Sequence, residues 1–402
     1  MRALQGLKVV DFTWVVAGPI CGAYLADFGA QVIKLESRGH PDLCRLSSPY
    51  KDDKVDLDYS LGFPVFNNGK NSITLNLGHR RGIEIAKMLI AWSDVVIENF
   101  GPGGMKRWGL DYDELRKIKE DVILVSISNQ GQSGPLSTFK GWGIHAAGVA
   151  GLYHITGWPD REPTAPPDVY PDVVTPVTTL CVIMAALDYR QRTGRGQYID
   201  ISQLDVALHS IAPTILDYAV NQNEQMRCGN HSADACPNNA YRCKGDERWC
   251  VISVSTDEEW KTLCRLMGSP KWTSMSKFST LPGRIANERE LDELMEAWTC
   301  RYTPEGLALK LQKAGIAAGV VKTGEDLVYR DPQLRHRGYF SFLNHPTLGK
   351  YMSQGWPVKL SKTPYVVKRS PLLGEDNEFI CTKILNLSDE DFASLVNDGV
   401  LQ

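Results

Sequence analysis

Short apolar runs alternate with amphipathic segments through the first half of the chain, and this alternation restricts the fold more than any other feature of the sequence. Residues 7–12 (Leu-Lys-Val-Val-Asp-Phe) read as a buried strand, and the Ala17-Gly18-Pro19 turn leads into an amphipathic helix over about 20–28, closed by Gly29. Residues 31–35 form a second strand, ending at Glu36. A helix over roughly 82–91 leads to a strand at 94–97, and a helix at 112–118, after Asp111, leads to a strand at 122–127. A helix over 176–190 then turns through Thr193-Gly194-Arg195-Gly196 into a strand at 197–201. Strand–helix–strand units with short loops predict a parallel sheet covered on both faces, so the expected large domain is α/β and Rossmann-like.

The texture changes after about Tyr218. Residues 221–239 are polar and rich in Asn, Cys and His, without a clear period. A strand at 248–255 and helical stretches near 258–267, 288–300 and 304–314 suit a second, smaller α+β domain. From about residue 339, Pro- and Gly-punctuated segments lead to a final acidic helix at 389–397. A length of 402 residues fits two or three domains, and no internal repeat or low-complexity tract interrupts it.

Lys and Arg total 44 against 47 Asp and Glu, so the net charge of −3 does not suit a dedicated nucleic-acid binder. A local basic groove for a small polyanion is still compatible with it. No run approaches the roughly 18–20 uninterrupted apolar residues of a membrane span. The first residues pass directly into a strand, so no signal peptide is expected, and ten cysteines read as the reduced thiols of a cytoplasmic protein. Cys228, Cys236, Cys243 and Cys250, with His231 between them, form no Cys-x-x-Cys pair and read as scattered thiols. No metal is expected.

The first strand–turn–helix–strand unit invites a dinucleotide reading, but residues 11–19 contain no Gly-x-Gly-x-x-Gly. Pro19 would also remove one N–H where a pyrophosphate needs donors, so NAD is not expected. Phosphate-loop and Gly-x-Ser-x-Gly signatures are missing as well. Three stretches are more unusual: Asn67-Asn68-Gly69-Lys70-Asn71-Ser72, Glu98-Asn99-Phe100-Gly101-Pro102-Gly103, and Thr175-Pro176, which opens a helix whose preceding turn carries Asp172. In an open parallel sheet ligands bind outside the carboxyl ends of the strands, so residues 14–18, 36–38 and 99–101 are expected to face one crevice. Each stretch by itself is also what an ordinary polar turn looks like.

With further stretches in order, the chain resembles the class III CoA-transferases, the family that includes formyl-CoA transferase, carnitine CoA-transferase and α-methylacyl-CoA racemase. The resemblance spans nearly the whole chain. It is carried by residues 7–12 with Ala17-Gly18-Pro19, residues 29–36, residues 98–103, Gly151-Leu152 to Thr156-Gly157, Thr193-Gly194-Arg195-Gly196-Gln197, Asp331-Pro332 with Arg337-Gly338, and Ser370-Pro371-Leu372-Leu373-Gly374-Glu375.

The resemblance implies a carboxylate nucleophile in the stretch before the Thr-Gly-Arg-Gly-Gln turn, and that position is Asp172. Asp168 is its only close competitor. A carboxylate attacks an acyl-CoA thioester to give a mixed anhydride, and CoA then returns to give an enzyme–CoA thioester. An Asp ahead of a helix is also a preferred N-cap, which is the plain alternative. Coenzyme A, as acyl-CoA substrate, is the implied ligand, and its phosphates call for Arg and Lys. Positions carried over are Val16 and Ala17, Leu75, Asn76, Leu77 and Gly78, Asn99, Phe100 and Gly101, Arg107 and Lys140. Two positions depart from the pattern. A cationic position falls on Ser37, with Arg38 as substitute, and Asn71 stands where formyl-CoA transferase has an Arg.

A racemase needs a second acid/base, which the family supplies as His, but Trp142 occupies that position and His145 and His154 lie off it. Transfer of CoA to a free carboxylic acid is therefore the expected activity. The alternatives are an acyl-CoA racemase or epimerase, and a non-catalytic subunit paired with an active paralogue. The resemblance also implies an interlaced dimer, of identical chains or of paralogues. Residues 1–217 and 329–402 would then build the large domain and 218–328 the small one. The loop at 229–238 lacks the glycine run that formyl-CoA transferase carries there. Trp14, Trp142 and Tyr170 are expected beside the thioester end and suit a bulkier acid than formate. Succinyl-CoA as donor to an aryl- or alkyl-succinate is the named expectation.

Overall fold

The computed structural model describes residues 2–166 and 170–402. Two compact units emerge: one from Met1–Thr156, Pro163–Met226 and Arg335–Gln402, the other from Gly157–Glu162 and Arg227–Leu334.

Among the described residues the larger unit is built on six parallel strands: β1 (Lys8–Asp11), β2 (Gln31–Glu36), β3 (Asn71–Thr74), β4 (Val95–Glu98), β5 (Ile123–Ser128) and β6 (Gln197–Ser202). Their order is β3-β2-β1-β4-β5-β6, so the sheet reverses direction of growth between β1 and β4. Period-two alternation divides the strand side chains between two cores. Val10, Ile33, Val96 and Leu124 pack on one face with Ile85, Leu89 and Ile90 of helix α3. Val9, Val32, Val95 and Ile123 pack on the other with Cys21 and Leu25 of α1 and Ile183 of α7. The helices of this unit up to Met226 are α1 (Ala17–Asp27), α2 (Gly62–Asn67), α3 (Arg80–Trp92), α4 (Tyr112–Ile118), α5 (Gly143–Val149), α6 (Leu152–Ile155), α7 (Tyr170–Thr193), α8 (Gln203–Ser210) and α9 (Ala212–Asn221). By length and composition α7 is apolar enough to cross a membrane, but it packs against α1, α5 and α8.

The C-terminal segment returns to the larger unit and closes its β3 edge. Asp376 accepts from the Ser72 N–H at 2.8 Å and Asn377 accepts from the Thr74 N–H at 2.8 Å, which satisfies donors an edge strand would otherwise leave open. Leu395, Val400 and Leu401 complete the core beneath.

The smaller unit has an antiparallel sheet in the order β7 (Asn238–Arg242), β8 (Trp249–Ser253), β9 (Ala317–Val320). Helices α10 (Asp257–Leu266), α11 (Leu281–Ala286), α12 (Glu288–Thr299) and α13 (Pro304–Lys313) belong to it. Cys236, Cys243 and Cys250 are buried in its core as free thiols, and no cluster of three or more potential metal ligands occurs among the described residues.

The candidate active site

A cleft of about 640 Å³ lies outside the carboxyl ends of β1, β4 and β5, beside the point where the strand order reverses. An open α/β sheet leaves such a crevice there because neighbouring loops turn to opposite faces.

One wall is the β1–α1 loop, and buried charge pins it. The Asn99 side chain clamps Trp14 from both sides, accepting from its N–H at 2.8 Å and donating to its carbonyl at 2.7 Å. The Phe100 ring meets Trp14 edge-on, with centroids 5.6 Å apart. Val15 has φ +74, a left-handed conformation that costs a β-branched residue roughly 1–3 kcal/mol. Asp42 holds it there by accepting from the Val15 N–H at 3.0 Å, and Asp42 is itself paired with Lys34 at 2.9 Å. Lys34 also donates to the Thr13 carbonyl at 2.6 Å. Beneath them Asp11 accepts from the Thr13 N–H at 2.8 Å and pairs with Lys70 at 2.7 Å, both side chains fully buried. Burial pushes the Asp11 carboxyl up, but the ammonium groups of Lys70 and Lys34 outweigh it and leave its pKa lowered. The strain at Val15 is thus stored in a rigid loop at the cleft mouth.

Arg107 and Lys140 bring positive charge to the other wall. Arg107 is exposed, its Nε 3.5 Å from the Gly104 carbonyl and its guanidinium 5.6 Å from the Trp108 ring. Neither side chain forms an ion pair among the described residues, so both are free to meet an anion.

Asp172 lines the same cleft and is 8% exposed. Its environment differs from the expected turn before a helix. α7 already begins at Tyr170, so Asp172 sits in its first turn and Pro176 lies inside the helix. Pro171 is tolerated so early because first-turn N–H groups have no helical partner. Pro176 has no N–H to offer the Asp172 carbonyl one turn back. The carboxylate accepts from the side-chain amide of Gln203, the first residue of α8, and from the backbone N–H of Gly143, the first residue of α5. A Cβ at position 143 would overlap the Asp172 carboxylate, so only glycine lets this N–H approach. Burial raises the Asp172 pKa, and the Gln203 and Gly143 hydrogen bonds oppose it by favouring the ionised form.

Of the expected ligand-binding residues, Val16, Ala17, Asn99, Phe100, Gly101, Arg107 and Lys140 line the cleft with Asp172. Arg38 and the 75–78 stretch do not. Arg38 is exposed with its N–H on the Gln402 carbonyl, Leu75 is in the core, and the Asn76 N–H bonds the Val400 carbonyl. Glu36 is likewise turned away, bonded to Arg45 at 2.8 Å. Trp14 and Trp142 line the cleft, while Tyr170 does not. No histidine lines it among the described residues: His145 accepts from the Trp142 N–H at 3.1 Å, and His154 pairs with Glu224 at 3.1 Å. His231 of the 229–238 loop contacts Glu288 at 2.6 Å and lines a separate cavity of about 980 Å³ within the smaller unit. Asp168 lies outside the described residues. Gln203 and Gly143 escaped the sequence reading. Gln203 follows β6 directly at its carboxyl end, and that placement was the available signal.

The sequence matches CoA-transferase family III over residues 4–377, and the chain belongs to that family. It is a CoA-transferase, an enzyme with acyl-CoA as substrate. It is 33% identical to a succinyl-CoA–D-citramalate CoA-transferase of Chloroflexus aurantiacus, over 98% of this chain and 97% of that one. It is 32% identical to a formyl-CoA:oxalate CoA-transferase of Rhodopseudomonas palustris, over 100% and 97%. The crystal structure of a CaiB/BaiF family protein from Brucella suis has the same fold, with TM-score 0.87 at 31% identity, over 95% of this chain and 99% of that one.

Proposed function

We propose that Asp172 is the nucleophile in a transfer of CoA from an acyl-CoA to a free carboxylic acid. The observation that carries this reading is a buried carboxylate in the cleft, held ionisable by two donors, with Arg107 and Lys140 unpaired in the same cleft. The carboxylate attacks the thioester carbonyl and expels CoA thiolate, leaving a mixed anhydride. The thiolate then attacks the aspartyl carbonyl and releases the donor acid. The acceptor carboxylate displaces CoA from the aspartyl thioester, and the thiolate takes the acceptor acyl group, restoring Asp172. Arg107 and Lys140 serve the CoA phosphates. A racemase has less support, since no histidine lines the cleft among the described residues.

Succinyl-CoA is our proposed donor and an aryl- or alkyl-succinate our proposed acceptor, supported by the succinyl-CoA–D-citramalate relative and by Trp14 and Trp142 in the cleft. We further propose a cytoplasmic, interlaced dimer, of identical or paralogous chains. Exposed apolar side chains on α7 and α9, among them Val177, Met184, Leu216 and Val220, suit coverage by a partner.

The test incubates the protein with succinyl-CoA or formyl-CoA and traps the adduct with borohydride or hydroxylamine. Modification is expected at Asp172 and nowhere else, and Asp172→Ala is expected to lose both label and turnover while still binding CoA. Label at another residue, or none with either donor, overturns the assignment.

A further inference from the structure

In the sequence of bonds set out above, the aspartyl Cγ becomes the electrophile twice. First CoA thiolate attacks it in the mixed anhydride: a C–S bond forms, the C–O bond to the donor acyl group breaks, and the donor carboxylate leaves with the electron pair. Then the acceptor carboxylate attacks it in the thioester: a C–O bond forms, the C–S bond breaks, and CoA thiolate leaves. In both steps negative charge develops on the carbonyl oxygen of Asp172 itself. That oxygen is already hydrogen-bonded before any substrate arrives.

We propose that Gln203, together with the Gly143 N–H, is the oxyanion-stabilising device for the two steps that occur on the aspartyl carbon. This inference rests on Asp172 being the nucleophile. Gln203 is a buried side chain whose amide donates to Asp172 Oδ1. The Gly143 N–H supplies a second donor to the same carboxylate. Both donors stand at the first residue of a helix, so the backbone fixes them and little reorganisation accompanies charge development. The absence of a Cβ at residue 143 is what allows the approach. Donors aimed at Asp172 stabilise no oxyanion in the flanking steps, in which charge develops on the oxygen of the donor or acceptor acyl group, and they bear on the first step only by favouring the ionised carboxylate.

That asymmetry separates catalysis from packing. Gln203→Met removes the donor at nearly constant volume, and Gln203→Ala removes it outright. Loss of one such donor lowers rates about 10²–10³-fold, so turnover is expected to fall about a hundredfold in both variants. The first step should survive. At a pH where Asp172 is ionised in both proteins, acid quench within the first turnover should show the acyl-CoA consumed at a rate within about twofold of the unmodified protein, while the borohydride-reducible thioester at Asp172 is nearly lost. Either succinyl-CoA or formyl-CoA serves, whichever labels Asp172 in the unmodified protein. Near-normal turnover of Gln203→Met, or equal slowing of acyl-CoA consumption and of turnover, overturns the role of Gln203 and leaves Asp172 standing. Failure of both donors to label Asp172 in the unmodified protein overturns both assignments together.

Discussion

Replacing Glu98 with Gln should stabilise the protein in alkaline solution and leave it little changed in acid. Glu98 ends β4 beneath the Asn99–Gly101 turn and is 3% exposed. Burial pushes its carboxyl from 4.5 up to about 7, although the Ser126 side chain and the Phe100 N–H at 2.6 Å favour the ionised form. The unfolded chain releases this proton near 4.5, so the protonated form contributes stability that is complete below that value and lost as pH rises through about 7. At about 1.36 kcal/mol per unit, the charged side chain costs the folded state roughly 3 kcal/mol above the upper limit. Gln has the shape of protonated Glu. Its carbonyl can accept from Phe100 and its amide can donate to Ser126. In thermal or urea unfolding at one fixed protein concentration, the advantage of Glu98→Gln should therefore grow between about pH 4.5 and 7 and level off at roughly 3 kcal/mol. A pH-independent difference would refute the reasoning, as would a less stable variant at about pH 8.5.

Arg107→Ala should weaken CoA binding by about 10- to 100-fold, the loss of one charge-assisted contact worth roughly 1.5–3 kcal/mol, without shifting the melting temperature; calorimetric titration with CoA reads this. Lys70→Met leaves the Asp11 carboxylate buried without its partner, and should lower stability by about 3–5 kcal/mol in denaturant unfolding. Pairing it with Asp11→Asn should recover much of that loss. The acid limb of kcat/KM should report Asp172: burial raises its pKa, so activity should fall away, as pH drops, at a midpoint above the ordinary aspartate range. An acid limb at or below that range would mean that the essential carboxylate lies elsewhere.

The parallel sheet was legible because burial on both faces writes continuous apolar strands. The expected strand at 31–35 is β2 (Gln31–Glu36) and that at 122–127 is β5 (Ile123–Ser128), and the acidic helix at 389–397 is found at Asp389–Asn397. The hairpin of Phe340–His345 and Gly349–Gln354 was not legible. Its strands are half-exposed, so Phe340, Phe342 and Leu343 do not write a clean two-residue period. The buried charges Lys34, Asp42 and Lys70 also escaped. Sequence letters show a polar residue but not the partner that makes its burial tolerable, and Asp11 and Lys70 meet across 59 positions of chain.

Asp172 shows most clearly where the sequence signal stopped. Pro176 suggested a helix start, because proline is favoured in a first turn and disfavoured further in. The structure sets that turn at Tyr170 with Pro171, and Pro176 within α7 leaves the Asp172 carbonyl without its helical donor. The two prolines and Asp172 therefore form one local unit, in which the proposed nucleophile is placed by the first turn of a helix. What completes the candidate site comes from elsewhere in the chain: Gly143 at the start of α5 and Gln203 after β6 reach the carboxylate only because the sheet brings the carboxyl ends of β5 and β6 side by side.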